Sequence, residues 1–377
     1  MRLPPDTRRV RYSYPLDAVQ ERRGADFVHG LGSPGAHLVS GSAYLLRPER
    51  IPDDTVASLA FAAPIPLLPW APDDRLRLGW RDLIHPGFHT FGGRRARVEV
   101  PGGAIEVAIL AGPLRASQEE LLVWVRTAGA EVAALAGGRF PHGRAAVTLV
   151  PLRRYAEASP YGQFLCSAPP SVALYVGDGA GPEELADDWV LVHELCHALH
   201  PIVRPRATWL SEGITTWLQQ LARMRSGRLS EAAGWSGVVR GAQAGERQAG
   251  GESLRALSEG IGRRHAYRAV YWGGALFALD LDLELRRASG GAGLLTLLAR
   301  LREGGPVCDE AAFAAAADRL AGRPLFAELL ARHLEGPAFA RRDVLLGELG
   351  VRADPEGVTL DDEAPRATER RALLSGG

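Results

Sequence analysis

Short alternations of apolar and polar residues recur over the first third of the chain, at residues 9–14, 95–100 and 104–110. Clusters of Pro and Gly break them, around 64–69 and 101–103. A period of two belongs to half-buried strands, so residues 1–113 are predicted as a β-sandwich-like unit. The pattern changes at Ser117, where Ser117 and Glu120 form a capping-box sequence. A helical period follows to Ala136 and stops at Gly137-Gly138. Strand-like stretches at 145–150 and 171–176 lead to a turn, Gly177-Asp178-Gly179-Ala180-Gly181, and a helix from Pro182 to about His200, stopped by Pro201. That Gly-rich turn matches neither the Walker pattern nor GxGxxG, so it is not read as a phosphate loop. From about residue 208 the chain is mostly helical, with Gly-, Ser- and Arg-rich loops between 225 and 265 and helices at 267–287, 291–303, 309–320 and 324–335. The charged, Gly- and Pro-containing segment after 354 reads as a flexible tail. The expected architecture is α+β and multidomain: a β-rich unit over 1–113, a catalytic unit over 114–250, a helical unit over 251–353 and the tail 354–377.

Composition narrows the chemistry. The chain has 377 residues, enough for more than one core, with 46% hydrophobic and 23% charged residues. Its 44 basic and 44 acidic residues cancel, which argues against nucleic acid or an anionic membrane as partner. All the basic residues are Arg, and the chain has no Lys and no Asn. A P-loop lysine, a pyridoxal Schiff base, a Ser-Lys dyad and an N-glycosylation sequon are thereby excluded. Three cysteines, Cys166, Cys196 and Cys308, cannot all pair, which fits a reducing compartment. The N-terminal Met1-Arg2-Leu3-Pro4-Pro5-Asp6 lacks an apolar signal core, and no stretch is apolar enough to span a membrane. A cytoplasmic location is expected.

The chemistry concentrates in His193-Glu194-Leu195-Cys196-His197. Four residues apart on a helix, His193 and His197 share one face and can both reach one Zn²⁺. Glu194 lies about 100° around the helix, placed for a water molecule rather than for the metal, as a general base requires. The apolar Val190-Leu191-Val192 before the motif indicates a buried helix, where a charged triplet needs a reason. A catalytic zinc takes three protein ligands and keeps an open position. Glu212, in the apolar stretch from Trp209 to Trp217, is the candidate third ligand, with His200 as its rival. Cys196 reads as a packing residue, and His85 and His89 sit in a turn-like sequence with structural roles expected.

HExxH followed by Trp209-Leu210-Ser211-Glu212-Gly213-Ile214-Thr215 resembles the gluzincin metallopeptidases. It is most similar to the glycyl aminopeptidase family and to the aminopeptidase N and leukotriene-A4 hydrolase family. Tyr271-Trp272-Gly273-Gly274 and the run Asp280-Leu281-Asp282-Leu283-Glu284-Leu285-Arg286 add to the likeness. The resemblance implies a thermolysin-like catalytic domain between a β-domain and a helical domain. It also implies one zinc ion and an oxyanion-stabilising tyrosine, which falls on Tyr271, with Tyr267 as alternate. The chain departs from these families in the short His197–Glu212 spacing and in lacking the Gly-x-Met-Glu-Asn loop that holds a substrate's free amine. The segment 161–176 in its place contains no acid.

These readings predict a zinc metallopeptidase, possibly an aminopeptidase, acting on a peptide substrate. His193, His197 and Glu212 hold the metal; Glu194 and Tyr271 are catalytic. An ester or epoxide hydrolase on the same site, or a non-catalytic zinc-containing peptide-binding scaffold, are the alternatives.

Overall fold

The computed structural model describes residues 9–16, 31–33, 35–61, 65–70, 76–204, 207–354 and 357–375. Met1–Asp6, on which the reading of the N-terminus rests, and part of the Pro cluster at 64–69 lie outside them. The fold is α+β, with a mixed sheet and many helices.

A five-stranded sheet forms the frame. Its spatial order is Arg94–Val100, Gly103–Ile109, Arg144–Leu152, Ser171–Gly177 and Tyr161–Leu165. The two outer pairs are antiparallel and the two inner pairs parallel. The register sets Val107 beside Val147 and Leu174 beside Leu149. Burial follows position. The inner strand Ser171–Gly177 is buried throughout, as a covered strand must be, whereas Arg94–Val100 alternates at the edge. Tyr161–Leu165 is the other edge, and on one side of its backbone no strand pairs with it among the described residues.

Helix Gln118–Leu135 begins at the predicted capping box: Ser117 Oγ accepts from Glu120 N at 3.3 Å, and Glu120 Oε2 accepts from Ser117 N at 2.7 Å. It buries Leu121, Trp124, Val125 and Val132 against the sheet and the HExxH segment. The single helix expected from Pro182 to His200 is three pieces: Pro182–Asp187, Val190–Cys196 and a 3₁₀ turn His197–Leu199. Asp188 causes the first break, because its carboxylate leaves the helix and accepts from Leu191 N at 3.0 Å, starting the second piece. Thr208–Arg225 and Tyr267–Ser289 then pack directly on each other. They meet at Gly213 and Gly274. A Cβ on Gly274 would sit 2.0 Å from Trp209 O, and one on Gly213 would sit 2.3 Å from the carbonyl carbon of Gly274. This crossing is backbone on backbone, and only glycine permits it.

Three expectations are corrected. The strands Arg94–Val100 and Gly103–Ile109 do not belong to a separate N-terminal sandwich; they are part of the central sheet. Before residue 94 the described residues form two small sheets, of three strands (Leu31–Ser33, Ala36–Ser40, Phe88–Phe91) and two (Val56–Leu59, Leu76–Gly79), with short helices at Gly41–Tyr44 and Trp80–Ile84, and residues 9–14 are not a strand. Within 225–265, a 19-residue helix Glu231–Ala249 replaces the expected loop. Its glycines are packing positions: a Cβ on Gly241 would lie 2.0 Å from the Trp272 ring. The tail is also folded, as a hairpin (Val351–Asp354 with Gly357–Leu360) and a helix Ala367–Leu374. Arg370 anchors it, buried, pairing with Glu231 at 2.7 Å and Asp362 at 2.6 Å and donating to Leu349 O. No helix among the described residues is long and apolar enough to cross a membrane.

Gly274→Ala tests the helix crossing. The methyl group must push the two helices apart, at a cost of about 1–3 kcal/mol or more, read as a lowered thermal or denaturant midpoint. An unchanged midpoint counts against the close approach.

Candidate active site

The HExxH helix lies under the sheet edge Tyr161–Leu165, so close that a Cβ on Gly162 would fall 2.5 Å from Glu194 Cγ. The Thr208–Arg225 helix comes from the other side and presents Glu212. Glu212 Oε2 lies 3.3 Å from His193 Nε2 and 3.6 Å from His197 Nε2. All three donors fall within 4.8 Å of one another. A tetrahedral zinc with bonds of 2.0–2.1 Å has ligand atoms separated by roughly 3.3 Å, so the three side chains are spaced to hold one. Burial opposes ionisation of Glu212, but the two imidazoles outweigh it and hold its carboxyl well below the usual range.

The outer nitrogens of both imidazoles are engaged. His193 Nδ1 lies 3.2 Å from Gln219 Oε1, an acceptor, so Nδ1 donates there and Nε2 is the nitrogen turned towards Glu212. For His197 the argument runs through two more residues. His200 Nδ1 is 2.9 Å from Pro201 O and must donate to it. Burial pushes the His200 pKa down to about 3, so the ring is neutral and its Nε2, 2.8 Å from Thr215 Oγ1, accepts. Thr215 O–H therefore donates to His200. Its oxygen, 3.0 Å from His197 Nδ1, accepts from His197. The nearby Ser211 O, 2.8 Å away, competes for that single hydroxyl proton. The chain His200–Thr215–His197 thus engages His197 Nδ1 and turns its Nε2 towards Glu212. His200, the rival ligand, is committed to this chain. Phe164 stacks on the His197 ring at 5.2 Å and fixes its plane.

Glu194 is buried in the same place and accepts from the Phe164 backbone N–H. Desolvation raises its pKa, and the two imidazoles only partly offset this. Such a carboxylate is a better proton acceptor than one in water. Tyr271, at the fourth residue after Tyr267 on the Tyr267–Ser289 helix, lies parallel to His193 with ring centroids 5.8 Å apart. Burial raises its pKa strongly, with Glu212 and Glu194 adding to the effect, so the phenol keeps its proton. Tyr267 is exposed, 6.5 Å from the Tyr271 ring.

Sequence reasoning missed three groups here. Tyr161 on the sheet edge is close enough to Glu194 and Glu212 for both to raise its pKa, after burial. Thr215 and Gln219 lie one and two turns along the helix from Glu212, and that i+3, i+7 spacing was a usable signal. His89 is structural as expected, buried between Tyr44 Oη at 2.6 Å and Pro86 O at 3.0 Å. His85 lies 3.6 Å from Cys166 Sγ and lines a cavity that also borders His197.

No family model matches the chain, and no curated protein does. Solved structures do. An aminopeptidase N family protein from Idiomarina loihiensis superposes with a TM-score of 0.61 at 16% identity, over 89% of this chain and 66% of that one. The chain thus spans slightly under two thirds of that protein. An M1 zinc metallopeptidase from Deinococcus radiodurans matches with a TM-score of 0.44 at 14% identity over 80% of this chain and 69% of that one. Legionella pneumophila aminopeptidase A in complex with aspartic acid gives 0.47 at 16% identity over 82% of this chain and 38% of that one. At these identities the likeness is one of fold, and the first carries it.

Thr215→Val keeps the shape and removes the hydroxyl between His197 and His200. Zinc affinity, measured by competition with a chromogenic chelator, should fall by roughly tenfold to a hundredfold. Undiminished affinity would contradict the hydrogen-bond chain.

Proposed function

We propose that the protein is a zinc-dependent metallopeptidase. The observation that carries the reading is the convergence of His193, His197 and Glu212 at zinc-ligand spacing with a buried Glu194 on the same helix and a protonated Tyr271 across from it. The fold shared with an aminopeptidase N family protein supports it. The unpaired sheet edge beside Glu194 supports a peptide rather than a smaller ester or epoxide, because an extended chain can add to it as a further strand.

A zinc ion on these ligands supplies Lewis acidity and makes water a nucleophile at neutral pH. The protein's own residues do the rest. Glu194, raised by burial, takes the proton of the attacking water and passes it to the leaving amine. Tyr271, raised further and never ionised, donates its O–H to the oxyanion that develops on the substrate carbonyl. The stack of Tyr271 on His193 orients the phenol, and the Gly213–Gly274 crossing sets how close it comes.

The experiment is hydrolysis of fluorogenic peptides with free and with blocked N-termini, with and without a zinc chelator. Chelator-sensitive cleavage is expected. Glu194→Gln should keep stoichiometric zinc and lose turnover, because an amide cannot accept the proton; residual wild-type activity would sink its role as base. Tyr271→Phe should lower kcat by about 10²–10³ with KM little changed. If neither peptide is cleaved by zinc-loaded protein, a non-peptide substrate or a binding scaffold is the better reading.

A further inference from the structure

Two openings flank the metal ligands. One is lined by Pro160, Tyr161, Gly162, Glu194 and Tyr271. The other, about 460 Å³, lies beyond His197 and is lined by Trp80, Arg81, His85, Phe164, Cys166 and Arg302. The sheet edge Tyr161–Leu165 runs from the first towards the second. Two independent arguments order a bound peptide along it. Glu194, which must protonate the leaving amine, lines the first opening, so the leaving side lies there and the acyl side beyond His197. A peptide adding antiparallel to the edge strand also runs with its N-terminal part at the strand's C-terminal end, by Phe164 and Cys166.

The acyl-side cavity is basic. Arg302 is half-buried, donates from one Nη to Ala198 O at 3.0 Å, and has no hydrogen-bond partner on Nε. Among the described residues no carboxylate forms an ion pair with it. Arg81 lies over Trp80, its guanidinium carbon 5.3 Å from the ring centroid, at the same cavity. The one carboxylate lining it, Asp82, is already used: it accepts from Gly79 N at 2.9 Å and from Trp70 Nε1 at 3.3 Å. A guanidinium removed from water without a counter-charge is costly, and a bound carboxylate would relieve that. A substrate ammonium in the same place would meet two guanidiniums, Arg302 and Arg81, against the single carboxylate of Asp82, which is held by its two donors.

We infer that this cavity takes a carboxylate-bearing residue, glutamate or aspartate, on the acyl side of the scissile bond, and that Arg302 is the specificity-determining partner of that carboxylate. The inference rests on the peptidase reading for the words acyl side. It accounts for a feature the sequence left open: the chain has no acid where the resembling aminopeptidases hold a free amine.

The test is calorimetric binding of N-acetyl-glutamate methylamide and its glutamine isostere to zinc-loaded, full-length protein carrying E194Q. The glutamate ligand should bind roughly tenfold to a hundredfold tighter, the worth of a charge-assisted hydrogen bond. Adding R302Q should bring the ratio close to one with zinc still bound. Where R302Q does not fold, R302K carries the test: a single ammonium without the planar fork should keep a reduced preference. Equal binding of the two ligands, undetectable binding of both, or a ratio unmoved by R302Q or R302K overturns the inference. Hydrolysis plays no part in this readout. A lost preference therefore leaves the peptidase reading standing, and failure of the peptide assay leaves the preference measurable.

Discussion

The approach of two helix backbones at Gly213 and Gly274 is the constraint on which the rest of the site depends. Glu212 immediately precedes one of these glycines, and Tyr271 lies three residues before the other. Helix axes usually stand 8–10 Å apart because side chains separate them. Here nothing separates them, since any Cβ at either position would enter the partner's backbone. This contact brings both side chains to His193: Glu212 faces its Nε2 at 3.3 Å and Tyr271 lies parallel to its ring. The apolar residues around it, Trp209, Ile214, Phe277 and Leu276, are buried and hold it closed.

A second constraint is the placement of protons. Three neighbouring histidines could exchange roles if each were free to turn and change tautomer. They are not free, because each outer nitrogen faces a group that can only accept or that has one proton to give: Gln219 Oε1, Thr215 Oγ1 and Pro201 O. The consequence is that two imidazoles turn Nε2 towards Glu212 and the third is withdrawn into the support. An HxxH pair that looks ambiguous on paper is resolved by a threonine from another helix.

What was legible in the sequence was whatever depends on local spacing. The capping box at Ser117, the long helix containing Tyr271 and the helices after it follow from apolar period and end signals alone. The joint placement of His193, Glu194 and His197 follows from helical geometry. What was not legible depends on partners distant along the chain. The Glu231–Ala249 segment reads as a loop because glycines weaken a helix by up to about 1 kcal/mol each; Trp272, packed against Gly241, supplies the reason for the glycine. The segment after 354 reads as a tail because it is charged, yet its buried Arg370 finds Glu231, 139 residues away, to pair with. The strand Gly103–Ile109 pairs with Arg144–Leu152 through a parallel connection that no turn signal announces. Arg302 could not be placed beside His197 without the fold, and neither could Gln219 beside His193.

The helix Thr208–Arg225 draws these threads together. Thr215, Thr216, Gln219, Gln220 and Arg223 are buried on it, with Glu212 partly so, although polar residues inside a helix lose hydration that must be replaced. Thr215 and Gln219 find partners in the imidazoles. Thr216 Oγ1, Gln220 Oε1 and Arg223 Nε have none within the described residues, and these side chains line the cleft next to Tyr271. A helix selected for stability alone would carry leucines at such positions. This one carries a polar row that runs from Glu212 along the cleft beside Tyr271. The cavity beyond His197 is different in kind, lined by two guanidiniums, Arg81 and Arg302, and one carboxylate, Asp82. The surroundings of Glu194 are therefore asymmetric: a row of hydroxyl, amide and guanidinium groups from one helix lies to one side, and a cavity with a surplus of positive charge lies to the other.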